Sequence, residues 1–239
     1  GNNSPTRSAT IFMGMTTMAT YDLEEQEQIS ELKTWWKMYG NLVTAVLLAV
    51  SAGAVGWQAW NWYQRTQAAE ASVIYAAVQK GAMERDPKRV REAAGELTEK
   101  YPGTAYAAMA ALTSARMQFD AGDLKTARAQ LQWVAEKARD RDLRDLGRLR
   151  LAHVLFDDKA LDEALKLLAD EPVPAFAARF GEPKGDILVA QGKHAEAKAA
   201  YQAALAKQDA AEKDAGSQGG RETQYRDLLQ LKLDSLGDK

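Results

Sequence analysis

AAMAALTSARMQFDAGDLKTARAQLQWVAEKA, residues 107–138, decides the fold of this chain. Apolar residues return at helical spacing on both sides of Ala121-Gly122-Asp123, with no strand-like alternation. Glycine turns a chain at low steric cost, so the segment reads as two helices in an antiparallel hairpin. The residue types fit that geometry. Five positions after Gly122 comes Ala127, small enough to let two helices cross closely, and four further on Leu131 fills the space beside the crossing.

The same pattern recurs downstream. FGEPKGDILVAQGKHAEAKAAYQAALAKQD (180–209) turns at Gly192 and follows with Ala197 and Tyr201. Between the two, LGRLRLAHVLFDDKALDEALKLLADEP (146–172) keeps Ala164 and Leu168 but replaces the turn glycine by Asp158-Lys159. The matching alanines are 37 and 33 residues apart, the period of a helix-turn-helix repeat. These segments resemble tetratricopeptide repeats, best in 178–209, then 108–140, and more loosely in 145–172; an unrelated helical bundle is the alternative. Residues 68–101 form an atypical first hairpin, and the repeats together are expected over 65–208. Further breaks fall at Asp86-Pro87, Tyr101-Pro102-Gly103, Glu171-Pro172 and Glu182-Pro183. DAAEKDAGSQGG (209–220) reads as a flexible loop. Residues 221–239 then read as a closing helix with Tyr225, Leu228, Leu229, Lys232 and Leu236 on one face, as the exposed end of a solenoid requires.

Upstream lies a different kind of segment. Met38–Gln64 carries no charge, and its centre reads LVTAVLLAVSAGAVGW (42–57). All tryptophans but Trp133 sit at its two ends: Trp35 and Trp36 before it, Trp57, Trp60 and Trp62 after it. A run this long exceeds the ~20 residues that cross a bilayer core, with aromatic residues where the headgroups lie. A buried core helix would rarely stay uncharged so long, and the aromatic stretch Trp57–Tyr63 is a poor signal-peptide cleavage site. The segment 38–64 is therefore expected to be a single-pass anchor in contact with membrane lipid. Ala49 and Gly53, and Ala52 and Gly56, are small pairs four apart that offer a helix-packing face, although such residues are common in membrane helices anyway. Residues 18–37 read as a juxtamembrane amphipathic helix, and 1–17 as a disordered extension or an artefact of the start site. The expected fold is all-α, one N-terminal transmembrane helix followed by a tetratricopeptide-like solenoid.

Composition narrows function. Net charge is −2, and after Met38 acidic and basic residues balance at 28 each, so no basic excess points to nucleic acid. There is no cysteine, which removes disulfides, thiolate nucleophiles and cysteine metal sites. His153 and His194 are the only histidines and form no ligand motif; GxxxxGK[ST], GxSxG and HExxH are absent. No catalytic site, metal or cofactor is expected. Stacked hairpins instead leave a concave face lined by their first helices. Arg116, Phe119, Leu149, His153, Phe156 and Asp186 are the candidates to line it, with core packing or plain solvent exposure as the alternative for each. Lys33 and Lys37 before the span, against Arg65 after it, favour a cytoplasmic N-terminus only weakly.

The acidic stretch LEEQEQISELKTWW (23–36), one span, a VIYAAVQK first helix and a short repeat array occur here in one order. That order resembles the YfgM-type ancillary subunits of the bacterial SecYEG translocon, most specifically across Glu24–Asn41. The resemblance covers about residues 19–237. It implies a protein of the bacterial inner membrane, with a cytoplasmic N-terminus and a periplasmic repeat domain. The implied partners are the SecYEG translocon, a PpiD-like periplasmic chaperone and exported client polypeptides. A membrane-anchored repeat scaffold for another envelope-biogenesis or division complex is the alternative.

Overall fold

The computed structural model describes residues 9–215 and 220–237. The chain forms two compact units, Gly1–Gln64 and Arg65–Lys239. Among the described residues there are helices and no strands. Helix α1 (Ala9–Met83) supplies the first unit and, past Gln64, the first element of the second. It starts at Ala9, so residues 9–17 are helical where the sequence suggested disorder; residues 1–8 lie outside the described residues.

In the second unit the hairpins follow in order. The last part of α1 pairs with α2 (Pro87–Lys100), and α3 (Ala105–Asp120) with α4 (Leu124–Lys137). Next α5 (Arg141–Asp157) pairs with α6 (Leu161–Leu167), and, after a single 3-10 turn at Pro174–Phe176, α7 (Ala177–Ala190) with α8 (His194–Ala215). Helix α9 (Gly220–Ser235) packs on α8. The first helices α3, α5 and α7 also touch one another in sequence, which makes a solenoid of the stack.

All four hairpins turn by one backbone device. Arg85 (φ +56°), Gly122 (+83°), Lys159 (+64°) and Gly192 (+76°) each take the left-handed conformation. The next N–H then reaches back five residues: Asp86 N to Gly81 O at 2.9 Å, and Asp123 to Gln118, Ala160 to Leu155 and Lys193 to Leu188 at 2.8 Å each. This Schellman closure satisfies a carbonyl that the helix end leaves open. Arg85 and Lys159 carry a side-chain clash that glycine avoids. Replacing Lys159 by Gly should therefore stabilise the domain, by up to about 1 kcal/mol after the entropy cost of glycine. Gly122→Ala should cost about the same amount, and urea midpoints of the two variants check both signs.

The core confirms the small-then-large pattern. Ala127, Ala164 and Ala197 are fully buried, as are Leu131, Leu168 and Tyr201 within a few per cent. The close crossings, however, also use glycines that the repeat pattern does not mark. A Cβ on Gly81 would lie 2.8 Å from Val90, on Gly147 2.6 Å from Val134, on Gly181 2.5 Å from Ala204 and on Gly185 2.2 Å from the Tyr201 ring.

Two expected breaks are absent. Helix α7 runs straight through Glu182-Pro183. Pro183 lies in its second turn, where it gives up one N–H bond, and it is buried in a well-packed helix. Helix α8 likewise continues to Ala215, so the loop expected from 209 is helical over its first seven residues; 216–219 lie outside the described residues. Alanine at 210, 211 and 215 among lysine, aspartate and glutamate is good helix material.

Candidate functional site

The most apolar stretch of helix α1 has no buried residue, so an apolar surface stands open along it. Trp35 packs near Trp36 and Tyr39 at 6.4 and 5.8 Å, and Trp60 near Tyr63 at 6.1 Å, forming an aromatic belt at each end. From Trp36 to Trp57 an α-helix rises about 30 Å at ~1.5 Å per residue, the thickness of a bilayer's hydrocarbon core. Ala49, Ala52, Gly53 and Gly56 are all exposed, and nothing lies within 4 Å of a Cβ placed on either glycine. That side of the helix is uncovered by the rest of the described chain.

In the repeat unit, the candidate residues fall in register. Arg116, His153 and Asp186 each stand six residues before the left-handed turn residue of their own hairpin, and Phe119 and Phe156 stand three before. Their surroundings differ. The Arg116 side chain is 79% exposed and reaches Asp120 only at 3.9 Å. His153 is exposed and Phe119 is 42% exposed. Phe156 is half-buried against the core, with the Lys159 ammonium 5.7 Å over its ring. The two phenylalanine rings make no ring–ring contact among the described residues.

Leu149 does not line the face. It is 9% exposed and sits inside the main core cluster with Leu112 and Ala152, because its side of α5 turns inward between neighbouring hairpins. Asp186 is also engaged elsewhere. It accepts hydrogen bonds from Tyr201 Oη at 2.5 Å and Lys232 Nζ at 2.6 Å, while Glu182 takes a second bond from Lys232 at 2.8 Å. With Tyr225 Oη donating to the Ala178 carbonyl and Leu229 fully buried, these contacts seat α9 on the last hairpin. Leu233 joins Tyr225 and Leu236 against that cluster, whereas Leu228, expected there, is 38% exposed.

The network titrates in one direction. Burial pushes the Lys232 ammonium down, but its bonds to Asp186 and Glu182 outweigh burial and leave it above the ordinary lysine value. Burial and Asp186 hold the Tyr201 phenol far above the tyrosine value, and burial and Glu182 do the same for Tyr225. A lysine raised in the folded state stabilises fully below its unfolded value of 10.5 and loses that contribution as pH climbs through the folded value. A tyrosine raised in the same way favours the folded state less and less once the unfolded phenol ionises near 10. Both signs agree. Stability should fall as pH rises above about 10, and Lys232→Met should flatten that fall, read from melting temperatures across the alkaline range.

Arg150 was not among the candidates. It is exposed, three positions before His153 on α5 and so on the same side of that helix. The i, i+3 relation of Arg150 to His153 was the available signal. The open face therefore comprises Arg116, Phe119, Arg150 and His153, on α3 and α5, with Phe156 at its margin. Among the described residues, no group of three or more His, Asp and Glu side chains could hold a metal ion.

Among the described residues, one helix fit to span a membrane and a stack of helical hairpins define a tetratricopeptide-like protein with a candidate membrane anchor. The family model described as a tetratricopeptide repeat-like domain matches residues 33–238. A Neisseria gonorrhoeae protein named ancillary SecYEG translocon subunit is 33% identical over 216 residues, 90% of this chain and 98% of that protein. Proteins of the same name from Haemophilus influenzae and Escherichia coli are 30% and 31% identical, covering 77% and 76% of this chain and 90% and 87% of their own. No solved structure matches the chain. The chain belongs to this family of tetratricopeptide repeat-like ancillary SecYEG translocon subunits.

Proposed function

We propose that the chain is a non-enzymatic ancillary subunit of the bacterial Sec translocon. Helix α1 crosses the inner membrane once with its N-terminus in the cytoplasm, and the repeat domain works in the periplasm. There the Arg116–Phe119–Arg150–His153 face binds a PpiD-like chaperone, newly exported polypeptides, or both. One observation carries the reading: the likeness to the Neisseria protein of that name runs over 98% of its length, so anchor and repeats match together. The single apolar helix and the exposed Phe119 support the two parts.

Mild detergent extraction followed by mass spectrometry of co-purifying proteins tests the partnership. SecYEG and a PpiD-like chaperone are the expected eluate; their absence, or recovery of a different envelope complex, sinks the proposal. Sidedness is checked by single cysteines, which the cysteine-free chain permits. Ser30 and Ala69 are exposed positions on either side of the span. Ser30→Cys should be shielded from an impermeant maleimide in intact cells stripped of their outer membrane, and Ala69→Cys should react. For the face itself, Phe119→Ala with Phe156→Ala should reduce crosslinking to partner or client, and unchanged crosslinking would remove these residues from the contact.

A further inference from the structure

The uncharged run of helix α1 is not uniformly apolar. Thr44, Ser51 and Gln58 recur in it at intervals of seven, with Leu47 and Ala54 between them. The order 44, 47, 51, 54, 58 alternates steps of three and four, so these side chains share one stripe of the helix. Thr44 lies eight residues past Trp36 and Ser51 six before Trp57, both well inside the span, while Gln58 stands at its far edge. Asn41, Asn61 and Gln64 lie nearer the aromatic belts.

The polar groups of the stripe are left open. Thr44, Ser51, Ala54 and Gln58 are exposed, and so is Leu47. Other helical hydroxyls in the chain fold back on their own backbone: Thr34 donates to the Ser30 carbonyl at 2.8 Å, Ser72 to Ala69 at 2.7 Å and Thr113 to Met109 at 2.9 Å. Thr44, Ser51 and Gln58 make no side-chain hydrogen bond among the described residues. Facing water, such groups are satisfied by solvent. In hydrocarbon a polar group without a partner is costly, and Ser, Thr and Gln in membrane helices bond across to a neighbouring helix. The stripe also has room for one: a groove lined by Ala54, Val55, Trp57, Gln58, Ala59 and Trp62 opens at its C-terminal end.

What fits this stripe is the stripe itself. Copies of one single-pass chain enter a bilayer in the same direction, so their helices pair in parallel and each residue meets its twin at one depth. A hydroxyl and a carboxamide both donate and accept, so Thr44, Ser51 and Gln58 can each bond reciprocally with the twin. A different helix would need polar groups at the same three depths; a second copy necessarily carries them. Alternating steps of three and four are also the seam of the left-handed crossing common in membrane bundles. Ala49, Ala52, Gly53 and Gly56 leave the helix on the opposite side, so this pairing keeps them free.

We infer that α1 pairs in parallel with α1 of a second copy of this chain through Thr44, Leu47, Ser51, Ala54 and Gln58. The inference rests on the reading of α1 as a membrane anchor.

The test uses the full chain in inner-membrane vesicles, with single cysteines added to a chain that has none. Ser51→Cys and Ala54→Cys should each give a disulfide-linked dimer with copper phenanthroline, whereas Ala49→Cys and Ala52→Cys should not. A second measurement removes the polar groups. Full chain labelled at a cysteine replacing the exposed Ala195 is diluted in phosphatidylcholine vesicles, and energy transfer between copies reports pairing. Thr44→Val, Ser51→Ala and Gln58→Leu together should lower self-affinity by about tenfold or more, with the chain still in the carbonate pellet. Ala52→Leu with Gly56→Leu should leave it unchanged. Equal crosslinking at all four positions, crosslinking through Ala49 and Ala52 instead, a crosslink only to a different chain, or unchanged affinity in the triple variant overturns the pairing. Release of the unaltered chain by carbonate overturns the anchor reading and this inference with it; retention without crosslinking overturns this inference alone.

Discussion

Gly185→Ala is expected to lower the stability of the repeat domain by about 2 kcal/mol, within the usual range of about 1–3 kcal/mol for overpacking a core. In a domain of this size that corresponds to a loss of about 4–8 °C in melting temperature. The added methyl would stand 2.2 Å from Cε1 of Tyr201 and 2.6 Å from two further ring atoms. Tyr201 cannot readily yield. It is 2% exposed and its hydroxyl is tied to Asp186, which Lys232 also holds. An informative control has the opposite sign. Gly95 lies inside α2 with nothing within 4 Å of its Cβ position, so Gly95→Ala should stabilise by about 0.5–1 kcal/mol through helix propensity alone. Two Gly→Ala changes of the same sign would show that crossing distance is not what glycine supplies at 185.

Arginine at both Leu47 and Val50 is expected to release the chain from the membrane fraction. Each arginine near the centre of a span costs about 2.5–3.5 kcal/mol on insertion scales, and the lost leucine and valine add about 0.3–0.6 kcal/mol each. The combined penalty is about 6–8 kcal/mol, against which snorkelling can recover part. The apolar window of this helix has no residue buried by the rest of the chain, so the repeat unit loses no packing. Carbonate extraction should move the protein from pellet to supernatant while circular dichroism of the repeat domain is retained. A double variant that still resists carbonate would mean that the chain is held by something other than this helix.

The turns were legible because they are local. Gly122 and Gly192 announce the left-handed positions, and Ala127, Ala164 and Ala197 follow at a fixed offset that any reader of the chain can count. Arg85 and Lys159 take the same backbone conformation without glycine, and only the repeated offset hints at it. The crossing glycines were not legible. Gly81, Gly147 and Gly185 stand at different distances from their turns, so no register connects them; each is dictated by the side chain it meets on the neighbouring helix. Pro183 misled for a related reason. Its local preference is to break a helix, and the packing of α7 overrides it.

The candidate face was legible in its register and illegible in its accessibility. Arg116, His153 and Asp186 share one repeat position, yet only the first two are open. Asp186 is claimed by Lys232, 46 residues later, and Leu149 by the core. By itself the sequence determined that the chain is helical, where its hairpins turn, and that one uncharged run can span a bilayer. Those properties depend on neighbours within one or two helical turns. Tertiary structure decided which repeat positions remain free and which glycines must stay glycine. Each of these depends on which atoms meet in space, and packing brings together residues whose separation along the chain carries no signal.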